Sequence, residues 1–172
     1  MDLRQQLLQE HSKENTRHII RWIGASQQRL DQLVQLLLKD SDYKVIQRAA
    51  WPLSYVAQEQ PGLIKKHLPA LIKNLEQEKL HDAVKRNTLR LLQYLHIPAR
   101  QKGMLMDRCF RYITSPAEKA AIKAFSLSIL ENMLDDYPEI GRELYVIINE
   151  QWSRETPAFR SRAKKVLKKI QR

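Results

Sequence analysis

Cysteine, glycine and long apolar runs are all scarce in this chain, and each shortage excludes something. A single cysteine, Cys109, rules out an internal disulfide framework. Four glycines and seven prolines in 172 residues leave little turn chemistry for hairpins. Period-2 alternation between turn signals is missing, so strands are not expected. No apolar stretch approaches the roughly 18 residues needed to cross a bilayer. The amino-terminal MDLRQQLLQEH lacks the cationic-then-apolar order of a secretory signal, so a cytoplasmic protein without a membrane partner is expected.

Chemistry-bearing patterns are equally thin. There is no G-x-x-x-x-G-K-[ST], no G-x-G-x-x-G and no G-x-S-x-G. His11, His18, His67, His81 and His96 do not pair with another ligand type at metal-site spacing on one helix face. Ser126 and Ser128 sit in helical sequence with no base in reach, and Asp135-Asp136 precedes Tyr137-Pro138 as a turn or cap. The expectation is a non-enzyme with no cofactor and no metal.

Acid is scarce at one end. The net charge is +11, from 30 basic and 19 acidic side chains. The last stretch, RSRAKKVLKKIQR, carries seven basic residues and no acid, which leaves the remainder at about +4. Basic chains attract polyanions without sequence preference, so nucleic acid is kept open as a partner.

What the chain does have is helical periodicity, clearest over residues 42–75. Val45, Ala49, Leu53, Val56 and Ala57 mark one helix, bent at Pro52. Gln60-Pro61 breaks it, and Ile64, Leu68, Leu71, Ile72 and Leu75 mark a second over 61–77. So short a helix pair cannot bury both apolar faces alone and needs neighbours of its own kind. The sequence supplies them at a spacing of 38 residues. Leu53 recurs as Leu91, Ile129 and Leu167, and Val45 as Ala83, Ala121 and Phe159. In second helices, Leu68 recurs as Met106 and Leu144, Leu71 as Cys109 and Ile147, and Ile72 as Phe110 and Ile148. An earlier pair fits a shift of 34, with Leu30, Val34, Leu37 and Leu38 in the second helix. Paired helices at such a period indicate an α-solenoid.

The expected order is a short capping helix over 2–10, then pairs at 12–23 and 26–39, 42–59 and 61–77, 80–96 and 98–114, 116–135 and 138–154. Pro116, Pro138 and Pro157 each open a helix, and the last runs to about Gln171. Residues 1–172 thus read as one all-α domain, an α-α superhelix of about four helix pairs plus a carboxy-terminal capping helix. Trp51 shares a column with Leu89 and Leu127, and Trp22 falls in the Leu53 column, so both are expected in the core.

The run Asp42, Val45, Ala49 followed by Leu68-Pro69-Ala70-Leu71 resembles a HEAT repeat, and the resemblance extends over about residues 12–172. It implies a stack whose first helices form the outer face and whose second helices line a concave one. Arg48, Arg86 and Arg162, with Arg17, form a column on first helices, where bonds to a neighbouring repeat are expected. On second helices Lys39, Lys73 and Arg111 share a column, and Lys66, Arg108 and Arg142 lie beside it off the apolar stripe. These six, with Met104 and Tyr112 as apolar neighbours, are the candidate partner-binding residues. The resulting expectation is a binding scaffold for a protein or peptide partner of acidic character. The alternative is a nucleic-acid binder similar to the HEAT-like alkylation-repair proteins, acting through the concave strip or the basic last helix.

Overall fold

The structure is a computed structural model and describes residues 1–171. It is helical, with no strand among the described residues. The chain gathers into two compact units, Met1–Ile97 and Pro98–Arg172.

The first unit holds α1 (Leu3–Gln9), α2 (Lys13–Ile23), α3 (Gln27–Lys39), α4 (Tyr43–Glu59), α5 (Pro61–Ile64), a 3₁₀ turn (Lys65–His67), α6 (Leu68–Asn74) and α7 (Asp82–Leu92). Local chemistry explains the boundaries. Ser12, Ser26 and Asp42 accept hydrogen bonds from the backbone N–H groups of Asn15, Arg29 and Lys44, capping α2, α3 and α4. Gly24 stops α2 at φ +49°, where a side chain would be strained. Helix α4 stays continuous through Pro52. The helix expected over 61–77 is broken instead, because Pro69 has no N–H for the Lys65 carbonyl and its ring crowds that oxygen. The Leu68 N–H takes the Lys65 carbonyl in a 3₁₀ bond, and α6 starts afresh.

The second unit holds α8 (Ala99–Thr114), α9 (Ala120–Met133), α10 (Ile140–Gln151) and α11 (Pro157–Ile170). Pro157 opens α11, with Thr156 accepting from the Phe159 N–H. Pro116 and Pro138 do not open helices. Ser115 accepts the Ala117 N–H on its hydroxyl, at 3.3 Å, and closes a turn on the first proline. Bonds from Ile140 to Tyr137 and from Gly141 to Pro138 turn the chain at the second, so α9 and α10 begin later than expected. With α5, the 3₁₀ turn and α6 counted as one rod, the described residues form ten helical segments.

The main register holds. Leu53, Leu91 and Ile129 are 0, 1 and 2% exposed, and Leu167 is half-buried. Val45 and Phe159 are sealed as well. One second helix departs from the register. Helix α8 buries Leu105, Cys109, Tyr112 and Ile113, whereas Met106 and Phe110 are only half-buried. Its stripe is displaced three residues from the 38-residue spacing, and α10 returns to it with Leu144 and Ile148. Three residues turn a helix through only about 60° short of a full revolution, so a wide stripe survives the slip. The tryptophans are a second correction. Trp51 and Trp22 are half-buried rather than core, because each indole leans on a polar neighbour at the surface. His11 lies 5.1 Å from the Trp51 ring, and the Arg29 guanidinium 5.0 Å from the Trp22 ring.

Within the first unit α4 touches α1, α2, α3, α5 and α7, and within the second α9 packs on α8 and α11. Polar links one repeat length apart join these helices. Arg4 holds Asp40 at 2.8 Å, Lys66 holds Asp31 at 2.6 Å, Lys102 holds Asp136 at 2.5 Å, and Lys169 holds Asp135 at 2.8 Å. Arg48, from the arginine column, donates to the Leu7 and Leu8 carbonyls at 2.9 and 3.0 Å and ties the last turn of α1 to α4. Lys123 and Glu155 form a buried ion pair between α9 and the residue before the α11 cap. Leu91→Ala should lower stability by about 2–5 kcal/mol, as for other core leucines. Urea unfolding checks it, and a near-zero change would contradict the register.

Candidate partner-binding face

In the first unit, α3, the 3₁₀ turn and α6 carry the candidate cations Lys39, Lys66 and Lys73 in that order. The buried arcs of the two helices, Leu30, Leu33, Val34 and Leu37 on one and Leu68, Leu71 and Ile72 on the other, turn the remaining side chains outward. Lys39, Lys66 and Lys73 are all exposed. Their electrostatic situations differ. Lys66 is neutralised by Asp31, which also accepts from Gln27 at 2.9 Å and meets His67 at 2.7 Å. Lys39 and Lys73 have no ion-pair partner among the described residues.

Beside Lys73 lies a groove of about 420 Å³ lined by Leu38, Ala70, Lys73, Asn74, Glu76 and Gln77. Asn74 is 7% exposed and accepts from Gln77 Nε2, but its own buried Nδ2 has no hydrogen-bond partner. A buried amide donor without an acceptor costs about 1–3 kcal/mol. Periodicity did not single out Asn74.

In the second unit, α8 carries Met104, Arg108, Arg111 and Tyr112, and α10 carries Arg142. Met104 is 40% exposed and Arg142 is exposed without an ion-pair partner among the described residues. Arg111 is exposed but bonded to Asp107 one turn back, at 2.9 Å, so the acid offsets its charge. Arg108 is half-buried. Tyr112 does not belong to a contact surface. It is 5% exposed in the displaced stripe of α8, and burial pushes its phenol well above the usual range. Exposed apolar contact comes instead from Tyr145 and Val146 on α10, two residues off the buried Leu144–Ile148 arc that the columns passed over.

Cys109, Ser126, Ser128 and His81 are occupied structurally. Burial pushes the Cys109 thiol up to about 12, which leaves it unreactive. The hydroxyls of Ser126 and Ser128 donate to the Ile122 and Ala124 carbonyls. His81 Nδ1 caps α7 by accepting from the Ala83 N–H. No group of three or more His, Cys, Asp or Glu side chains is placed to hold a metal among the described residues. None of the described helices is long and apolar enough to cross a membrane.

The Asp31 carboxylate is held well below the usual carboxylate range, first by Lys66 and then by Gln27 and His67. It is therefore more acidic folded than unfolded. Its contribution to stability is complete above the unfolded value of 3.8 and fades as pH falls through the lower folded value. Asp31→Asn should melt below wild type at neutral pH, with the gap closing in acid below about pH 3. Thermal melts across pH check this, and a gap constant with pH would contradict it.

A family model described as HEAT repeat domain matches residues 3–170. No curated protein and no solved structure matches the chain.

Proposed function

The chain belongs to the HEAT repeat domain family, and from that premise we propose that it is a non-catalytic scaffold binding a protein or peptide partner along its second helices. HEAT repeats are generally protein-interaction scaffolds, and the family is typically non-enzymatic. The observation that carries the reading is the groove at Lys73. It combines an apolar wall of Leu38 and Ala70, an ammonium without an acid partner, and the unused amide donor of Asn74.

Those three features suit a peptide segment with an acidic side chain. A carboxylate reaches Lys73, a main-chain carbonyl accepts from Asn74, and a small apolar side chain lies against Leu38 and Ala70. Lys39 adds an exposed charge without an ion-pair partner among the described residues in the same unit. In the second unit Arg142 supplies an uncompensated charge, Met104 and Tyr145 supply apolar contact, and Arg108 and Arg111 add charge that Asp107 partly cancels.

A library of acidic peptides on a solid support, probed with labelled chain, tests the reading. Captured sequences should be enriched in Asp and Glu next to small apolar residues. Lys73→Glu should weaken the best of them about tenfold, and Arg142→Glu should weaken a different subset. Unselective capture, or Lys73→Glu binding like wild type, would refute the site.

A further inference from the structure

The first-helix face of the Met1–Ile97 unit carries a second cluster, distinct from the second-helix groove. Helix α4 touches both α2 and α7, and their outward residues differ from those of α3 and α6. Rings and cations alternate there. The His11 ring lies 5.1 Å from Trp51 with a 55° tilt, and the Arg90 guanidinium sits 4.7 Å from the centre of the Tyr55 ring. Lys13, Arg17 and Arg86 are exposed, while Trp51, Tyr55 and Arg90 are half-buried. Among the described residues, Lys13, Arg17, Arg86 and Arg90 have no ion-pair partner. This contrasts with Lys66 of the second-helix face, which Asp31 neutralises.

The same cations act on the titratable rings beside them. His11 is made less basic by burial and then by Arg48 and Arg86, and Tyr55 is made more acidic by Arg90, with Lys13 adding to it. No acid opposes either shift. Glu14 and Asp82 lie on the same helices, yet neither forms an ion pair with Lys13, Arg17, Arg86 or Arg90 among the described residues, so these cations stay available around the surface rings. An acidic peptide would use the cations and leave the rings idle. A nucleic acid uses both, because its phosphates take the cations and its bases lie on aromatic or guanidinium planes. The strand must be single, since bases stacked within a duplex do not reach side-chain rings. Three packed helices span about 20 Å, which accommodates a few nucleotides.

We propose that this face binds single-stranded nucleic acid, with Trp51 and the Tyr55–Arg90 pair receiving bases and Lys13, Arg17 and Arg86 receiving phosphates.

The test is fluorescence anisotropy of the full chain with a labelled oligothymidylate of about a dozen nucleotides, from about 50 to 200 mM salt, alongside tryptophan fluorescence. Binding should quench the tryptophan signal and outlast competition by polyglutamate of matched charge. Arg86→Glu with Arg90→Glu should weaken binding about tenfold or more and flatten the salt slope. Trp51→Leu, which installs the residue type of the Leu89 and Leu127 column, should weaken it about threefold, remove most of the quench and leave the salt slope unchanged. Reversal of Lys164 and Lys168 to Glu, on the exposed side of α11, should leave the affinity at wild-type level. The proposal is overturned by no binding at low salt, by equal displacement with polyglutamate, by full affinity in the double arginine variant, or by loss of binding on reversal of α11. If Trp51→Leu fails to fold, the arginine variant and the wild-type quench decide the matter.

Discussion

Helices with apolar residues on more than one side have to be covered on more than one side, and both units are built around that constraint. Helix α4 buries Val45, Ala49, Ala50, Leu53, Val56 and Ala57 across a broad arc of about 140°. Helix α9, AAIKAFSLSILENM, buries Ile122, Leu127, Ile129, Leu130 and Met133 around an even wider arc. Neither could persist alone in water, since isolated helices of this length are marginal and such faces demand partners. In the first unit α2, α3 and α7 supply the cover for α4. In the second α8 and α11 supply it for α9. The carboxy-terminal α11 buries Phe159, Ala163 and Val166 on α9 and α10 and turns Lys164, Lys165 and Lys168 outward. The polar links obey the same geometry. They join residues about one repeat apart because those residues occupy corresponding places on successive helices, as Arg4–Asp40 and Lys66–Asp31 do.

The first helices were legible from sequence because they repeat the same stripe. Leu53, Leu91 and Ile129 stay in register since α4, α7 and α9 are each continuous rods. The second helices were less legible for identifiable reasons. Pro69 divides one of them, and no periodicity count distinguishes a broken rod from a whole one when the stripe continues across the 3₁₀ turn. Helix α8 slips by three residues, which a stripe of this width tolerates, so Tyr112 moved from the surface to the core while Met106 and Phe110 became half-buried. The prolines at 116 and 138 were misplaced by a few residues, because turns stabilised by Ser115 and Tyr137 come before the helices. Trp51 and Trp22 show the limit of column arguments. A column fixes an angle around a helix, and a large indole at the edge of the buried arc still reaches the surface, where His11 and Arg29 meet it.

The candidate cations were found from sequence, but their worth was not. Whether a lysine on an exposed face is available depends on which acid folds beside it, and that acid is usually a repeat away or a turn away. Asp31 neutralises Lys66 and Asp107 offsets Arg111, while Lys39, Lys73 and Arg142 are left uncompensated among the described residues. The net charge of +11 is thereby concentrated at fewer places than a residue count suggests. Asn74 and the His11–Trp51 and Tyr55–Arg90 pairs emerge only in three dimensions, where a polar atom is seen to lack an acceptor or a ring to lean on a cation.

Stability resides in the two helices covered on several sides, with the outward-facing second helices held more loosely. Native-state hydrogen exchange of the whole chain measures this helix by helix. The amides of α4 and α9 should exchange most slowly within their units, more slowly than those of α6 and α10. Protection in α6 and α10 equal to or greater than that in α4 and α9 would contradict it.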